Sequence, residues 1–148
     1  MFIAVLAIAA SPAAAMTEPA CYDVKVRARP VDQVPSEIPD CGTDCIVTSW
    51  PWFVDLQVER VIDGTLSEKV VRILTIQHTY FLPRSGTWAL RRNAAGGYNV
   101  SLADDWVRLV RCSQEDAAVA PYIRPGAGQT LDDIWQAGVR RYGHKYSR

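Results

Sequence analysis

The chain has 148 residues, and its 16 basic and 16 acidic side chains give a formal net charge of zero. Because balanced charge creates no long-range field toward polyanions, we expect neither nucleic acid nor an anionic membrane surface as a partner. The length suits one domain, and a hydrophobic fraction of 49% is enough to fill its core.

The first 15 residues have the pattern of an export signal. An uncharged apolar run covers residues 2–10, and small residues ending in Ala15 follow it. The run is shorter than the roughly 20 residues of a membrane-spanning helix, so we expect no transmembrane segment. We predict cleavage between Ala15 and Met16 and a single periplasmic or secreted domain over residues 16–148. The run has no basic residue before it, so either the α-amino group supplies the only positive charge or the start codon lies upstream of Met1, and we favour the upstream start.

Four cysteines, an even number, predict two disulfides and no free thiol in an exported protein. The sequence leaves three pairings open. We favour Cys21 with Cys112, which closes a long loop, and Cys41 with Cys45, which flank a short glycine-containing turn. One alternative is a metal held by Cys41 and Cys45, but zinc needs four ligands. The other is a lipid on Cys21, which lacks the apolar residue of a lipobox before it. We therefore expect no metal and no other cofactor.

Alternating apolar and polar residues predict a series of short β-strands. A proline-containing excursion over residues 30–40 separates the first strand from the second. Turn residues such as Asp63-Gly64 and Asp104-Asp105 separate later strands. This regular spacing favours an antiparallel barrel or sandwich. The predicted strands are residues 21–28, 52–62, 69–77, 87–92, 98–102 and 106–112.

After an irregular crossing segment at 113–128, the last element is predicted to be an amphipathic α-helix over residues 130–143. Thr130 is a candidate N-cap, and Asp133 stands where the acid of a capping box reaches back. Gly138 lies on the apolar face and would let the helix approach the sheet closely. The other residues of that face follow helical spacing: Leu131, Ile134, Trp135, Val139 and Tyr142.

The stretch from Trp52 to Cys112 has a pattern of glycine, apolar and cysteine positions at Gly64, Gly86, Trp88, Leu90, Tyr98 and Cys112. This pattern resembles the netrin-like class of small exported barrels. These have an OB-type fold and include the tissue inhibitors of metalloproteinases. The resemblance implies a disulfide-tied, OB-like antiparallel barrel of five to six strands that binds another molecule. The inhibitors use a free N-terminal cysteine, whereas Cys21 lies five residues beyond Met16.

Candidate catalytic residues are few. His78 is the one histidine of the predicted strand region, and it could act as a base with Asp55 or Asp63. The chain has no GxSxG, HExxH or glycine-rich phosphate loop. A single histidine at a strand end is typical of a packing or surface residue. We therefore predict no catalytic residue and a protein that is not an enzyme.

A nucleic-acid face is a further alternative, because OB-type barrels bind single strands through aromatic and arginine side chains. Export and the zero net charge argue against it. The residues that could form such a face are Trp88, Arg91, Arg92 and Tyr98.

We predict an exported, non-enzymatic module that binds a protein or a cell-envelope component. Two aromatic clusters at neighbouring loops could form its contact surface, because aromatic residues are enriched at binding hot spots. The alternative is that both clusters plug the end of the barrel as core. Two other functions remain open: an inhibitor of a periplasmic hydrolase, and a small exported enzyme that uses His78. The candidate binding residues are Trp50, Trp52, Phe53, Tyr80 and Phe81.

Overall fold

The computed structural model describes residues 21–38, 42–43, 46–101 and 109–145, which form seven strands and one helix. The predicted signal peptide, the Cys41–Cys45 pair and the Asp104-Asp105 turn lie outside these residues. Within them, no helix is long and apolar enough to cross a membrane. The elements are β1 (Cys21–Tyr22), β2 (Val24–Pro35), β3 (Trp50–Asp63), β4 (Val70–Gln77), β5 (Gly86–Arg92), β6 (Tyr98–Val100), β7 (Val110–Arg111) and α1 (Leu131–Tyr142).

Five strands close into a barrel in the order β2-β3-β4-β6-β5, with β5 pairing back onto β2. The predicted fold class is confirmed: the protein is mainly β, with a small closed barrel, one C-terminal helix and a disulfide. The barrel is not wholly antiparallel, because β4 and β6 run in the same direction. Five is an odd number, so strands of alternating direction cannot close a ring without one parallel pair.

Side chains that point into the barrel form its main core. They follow the two-residue repeat of strands, so every second residue of β3 and β4 faces inward. The rings of Phe81 and Trp88 pack against this core and meet edge to face, with centroids 5.1 Å apart. The buried members are Val24, Val26, Ala28, Val54, Leu56, Val71, Ile73 and Leu90.

Strand β2 is longer than the sequence predicts. Its prolines indicate an irregular segment from Pro30, yet the strand continues to Pro35. Beyond Ala28, β2 no longer pairs with β5, so the strand edge at Pro30 needs no N–H donor and tolerates proline; farther along, Gln33 forms a bridge with Lys145. A register shift between Pro30 and Asp32 inserts one extra residue, and Gln33 consequently bonds to side chains of the barrel interior.

Helix α1 covers part of the outer face of the barrel. Its capping box forms as predicted: Thr130 Oγ1 accepts from the N–H of Asp133, whose carboxylate accepts from the N–H of Thr130. Arg72 of β4 ties the helix down, since its guanidinium bonds to Asp55 and stacks 3.9 Å from the centroid of the Trp135 ring. The second core lies under the helix and comprises Val34, Phe53, Leu74 and Ile123, with Tyr122, Leu131, Ile134, Trp135 and Val139 packed against them.

Replacing Gly138 by alanine should destabilise the protein by about 1 to 3 kcal/mol, although alanine is the better helix former. A Cβ atom at this position would lie 2.5 Å from the carbonyl oxygen of Pro35 and 2.9 Å from Cγ1 of Val34. The helix would therefore have to move away from β2. Urea unfolding measures the loss, with exposed Gln136→Ala as the control on the same helix. An alanine variant as stable as the wild type would contradict this close contact.

Strands β1 and β7 form a parallel pair outside the barrel, and the Cys21–Cys112 disulfide joins them. The favoured pairing is therefore confirmed for this bridge. The chain after Cys112 then crosses the outside of β5 and β6. Val119 forms a bridge with Asn93, and the buried Asn99 amide donates to the carbonyl of Ala120.

Candidate functional site

One end of the barrel carries most of the aromatic residues that the sequence indicates as a binding surface. At this end β2 finishes at Pro35, β3 begins at Trp50 and β4 finishes at Gln77, and the connection 78–85 leads on to β5. We call this region the aromatic end. Its aromatic residues are Trp50, Trp52, Tyr80 and Phe81.

The two tryptophans lie on the inward face of β3. Trp52 is 4% exposed, Trp50 is half-buried, and their ring centroids are 5.6 Å apart. Trp50 is paired with Gln77 and Trp52 with Thr75 across the β3–β4 ladder. The indole rings therefore continue the barrel core toward its open end.

Phe81 and Tyr80 belong to the connection 78–85. Both backbone polar groups of Phe81 bond to the side chain of Gln33, each at 2.8 Å, so this point of the connection is fixed to β2. The Phe81 ring points into the barrel against Trp88. Tyr80 is 41% exposed at the surface.

Phe53 does not belong to the aromatic end. Neighbouring residues of a strand point to opposite faces, so Phe53 points away from Trp52 and is buried under helix α1 with Leu74. The structure thus places four of the five predicted residues at one end and the fifth in the outer core. Trp52 and Phe53 are buried, as expected if the aromatic clusters belong to the core, whereas Tyr80 is exposed. A binding role for the five residues stays a prediction.

Three buried polar side chains under the aromatic residues are absent from the sequence-based site. Thr75 Oγ1 donates to Gln77 Oε1, and Gln77 Nε2 donates to Gln33 Oε1 at 3.3 Å. We call Gln33, Thr75 and Gln77 the polar floor. The sequence does contain a sign of the polar floor. Every second residue of β4 faces inward, and after Val71 and Ile73 the next two inward positions are the polar residues Thr75 and Gln77.

Large aliphatic side chains are exposed around the same end. Ile46 is 89% exposed and Leu82 is 54% exposed, and Ile38 lies just beyond the end of β2. We call these three residues the aliphatic rim. At the opposite end of the barrel, exposed Ile62 of β3 and Val70 of β4 lie on either side of the turn that joins the two strands.

His78 is not joined to a carboxylate. Its Nδ1 atom lies 2.7 Å from the carbonyl oxygen of Thr48. Asp55 is bonded to Arg72, and Asp63 accepts from Tyr22. In the part of the chain that the structure describes, no hydrogen bond or ion pair connects His78 with either acid. The enzymatic alternative therefore has no assembled histidine–carboxylate pair here.

A polar groove of about 650 Å³ lies beside the disulfide. Arg92 in its wall pairs with Asp23, and Arg111 pairs with Asp63. The hydroxyl of Tyr22 donates to Asp63 at 2.8 Å, which lowers the pKa of Asp63 and raises that of Tyr22. The charges of the groove are therefore largely balanced by these ion pairs within the protein. The groove is lined by Asp23, Val24, Thr65, Arg92, Tyr98, Arg111, Cys112, Ser113 and Gln114.

Potential metal ligands come together at one place among the described residues. The sulfur atoms of Cys21 and Cys112 and a carboxylate oxygen of Asp116 lie within 4.8 Å of one another. Both sulfurs belong to the disulfide, so neither is a thiolate that could bind a metal. This trio does not make a metal site in the oxidised protein.

Comparison with known proteins gives no relative. The chain matches no protein-family model, no curated protein and no solved structure. The resemblance of Trp52 to Cys112 to the netrin-like class therefore stays a prediction, and the functional inference rests on the aromatic end.

Proposed function

We propose that the protein is an exported, non-enzymatic module that binds a protein or cell-envelope partner through the aromatic end. The observation that carries this proposal is the aliphatic rim, whose exposed side chains belong to the segments that enter and leave the barrel at the same end as half-buried Trp50 and exposed Tyr80. Exposed clusters of large apolar side chains mark interaction sites, because leaving them in water is unfavourable.

The surface is also held in place by bonds below it. The polar floor is buried, and the side chain of Gln33 fixes Phe81 through two hydrogen bonds to the Phe81 backbone. His78 bonds the carbonyl of Thr48 and so links the connection 78–85 to the segment before β3. A surface held in one arrangement loses less entropy on binding.

Export is supported by two features. The Cys21–Cys112 disulfide would persist in an oxidising compartment such as the periplasm or the extracellular space. The apolar run at residues 2–10 and the alanines after it have the pattern of a cleaved signal. A disulfide-tied small barrel also agrees with the netrin-like resemblance, which implies binding of another molecule.

The paired variant Ile46→Ser/Leu82→Ser should abolish partner capture while leaving the fold intact. Both side chains are exposed, so each change should alter stability by no more than about 0.5 kcal/mol. Immobilised protein would be incubated with periplasmic or extracellular extract, and captured proteins quantified by mass spectrometry. The matched control is Ile62→Ser/Val70→Ser, which removes the same kind of surface at the opposite end.

A partner that is retained by the control and lost with Ile46→Ser/Leu82→Ser would map binding to the aromatic end. Equal capture by both variants would mean that this end is not the contact surface, and the proposal would then be wrong.

A further inference from the structure

The indole N–H groups of the aromatic end lack hydrogen-bond partners. Trp50 Nε1 and Trp52 Nε1 are the two buried side-chain polar atoms of the described residues that have none. Trp88 provides the contrast, since its Nε1 donates to the carbonyl of Ala28 at 3.0 Å. Buried tryptophan N–H groups usually find an acceptor. Two unsatisfied donors side by side therefore indicate a place where an outside acceptor binds.

The uncharged side chains of the polar floor favour a neutral acceptor over an anion. The polar floor beneath them consists of uncharged side chains that bond to one another. A carboxylate or phosphate would lose its hydration there without gaining an opposite charge, which is strongly unfavourable. An uncharged oxygen, such as the carbonyl of a peptide bond, does not incur that cost.

The aliphatic rim favours a polypeptide over a sugar. Ile38, Ile46 and Leu82 offer apolar surface, whereas the hydroxyls of a sugar need polar partners of their own. Among the described residues, the buried side-chain polar atoms that lack a hydrogen-bond partner are both N–H donors. The matching segment therefore supplies carbonyl oxygens and needs few acceptors for its own N–H groups.

Proline meets this requirement. It has no backbone N–H, and in the polyproline II conformation the carbonyl groups make no internal hydrogen bonds. Proline-rich segments are known to bind grooves lined with aromatic side chains, because they are already ordered before binding. We propose that Trp50 and Trp52 donate hydrogen bonds to backbone carbonyls of a proline-rich segment of the partner. This rests on the proposed function and specifies which partner chemistry the aromatic end accepts.

Binding requires a small local rearrangement. Both indole nitrogens are buried in the unbound protein, so a covering group must shift to admit a carbonyl. Phe81 is fixed by Gln33, but the exposed residues 82–85 that follow it contain no helix or strand and are the part of the connection best suited to move.

An octaproline peptide with blocked ends is the probe. In ¹⁵N–¹H spectra of the full-length protein, the indole N–H signals of Trp50 and Trp52 should shift downfield on titration. The signal of Trp88, which already has an acceptor, should stay in place. Trp50→Phe and Trp52→Phe should each weaken binding about tenfold, the effect of one hydrogen bond. Trp135→Phe on helix α1 is the matched control and should bind like the wild type.

No binding of octaproline at millimolar concentration, or binding that leaves both indole signals unmoved, would overturn this inference. Chitohexaose is titrated in parallel to test for a sugar site. Indole shifts with chitohexaose and none with octaproline would also overturn the proline inference. If partner capture still depends on Ile46 and Leu82, only the proline inference fails. If capture is independent of them, the proposed function fails as well. The wild-type spectra give an answer even if a tryptophan variant does not fold.

Discussion

Replacing Cys21 and Cys112 together by serine should lower the free energy of unfolding by about 4 to 5 kcal/mol. The bridge joins residues 91 positions apart, so it closes most of the barrel sequence into one loop. Without it, the unfolded chain gains the conformational freedom of that loop. The double substitution leaves no unpaired thiol at either site to exchange with another cysteine. Urea unfolding followed by tryptophan fluorescence measures the loss.

The matched control is the double variant Cys41→Ser/Cys45→Ser, at the site of the predicted second disulfide. If that bridge forms, it closes only a short loop and its removal should cost much less. A loss below about 0.5 kcal/mol for the Cys21/Cys112 variant would show that this crosslink does not restrict the unfolded chain.

Local patterns were sufficient to predict most individual elements. The alternation around Val54 and Leu56 indicates β3, and the capping box of Thr130 and Asp133 indicates the start of α1; the structure contains both. Gly138 could be predicted as a close contact because it lies on the apolar face of the helix. These features depend on residues a few positions apart, so the sequence displays them directly.

The strand order and the length of β2 depend on distant parts of the chain. The parallel β4–β6 pair follows from closing an odd number of strands, which no local pattern displays. Pro30 indicates the end of a strand, but β2 has lost its second neighbour at that point and can continue. Strand pairing, rather than proline alone, decides where β2 ends.

The candidate site was predictable in part. Trp50 and Trp52 are two positions apart and share a face, as alternation requires, whereas the same rule separates Phe53 from them. Phe53 is an apolar residue on the face of β3 that continues with Asp55 and Gln57, and this was the available signal that something covers the outer face at that point; helix α1 does so. The contact of Gln33 with Phe81 could not be predicted, because it depends on the extra residue in β2.

A buried ion pair next to the disulfide is the second feature on which stability depends strongly. The side chains of Asp23 and Arg91 are 8% and 10% exposed, and Arg91 Nη1 lies 3.0 Å from Asp23 Oδ2. The same oxygen accepts from the backbone N–H of Arg92 at 2.7 Å. Arg91 also donates to the carbonyl of Ala117 and so ties the crossing segment to β5. The burial of Arg91 also removes it from any exposed nucleic-acid face.

These contacts set the pKa of Asp23. Burial alone would raise the pKa of its carboxyl group, but the hydrogen bonds from Arg92 and Arg91 outweigh burial and hold the pKa below the ordinary value of 3.8. The folded state therefore favours the ionised carboxylate. The resulting stability is fully present above the pKa of the unfolded chain, and it is lost as the pH falls through the lower pKa of the folded state.

Replacing Asp23 by asparagine should destabilise the protein by about 3 to 5 kcal/mol at pH 7, because Arg91 is then buried without a counter-charge. The difference between the wild type and the variant should stay constant above about pH 5 and shrink below pH 4, as the wild-type carboxyl group takes up a proton. Urea unfolding of both proteins across this pH range measures the difference.

Glu37→Gln is the control, since Glu37 and Arg141 form an exposed pair whose loss should cost at most about 1 kcal/mol. A difference between wild type and Asp23→Asn that is the same at pH 3 and pH 7 would show that the charge of Asp23 does not hold β5 and the crossing segment together.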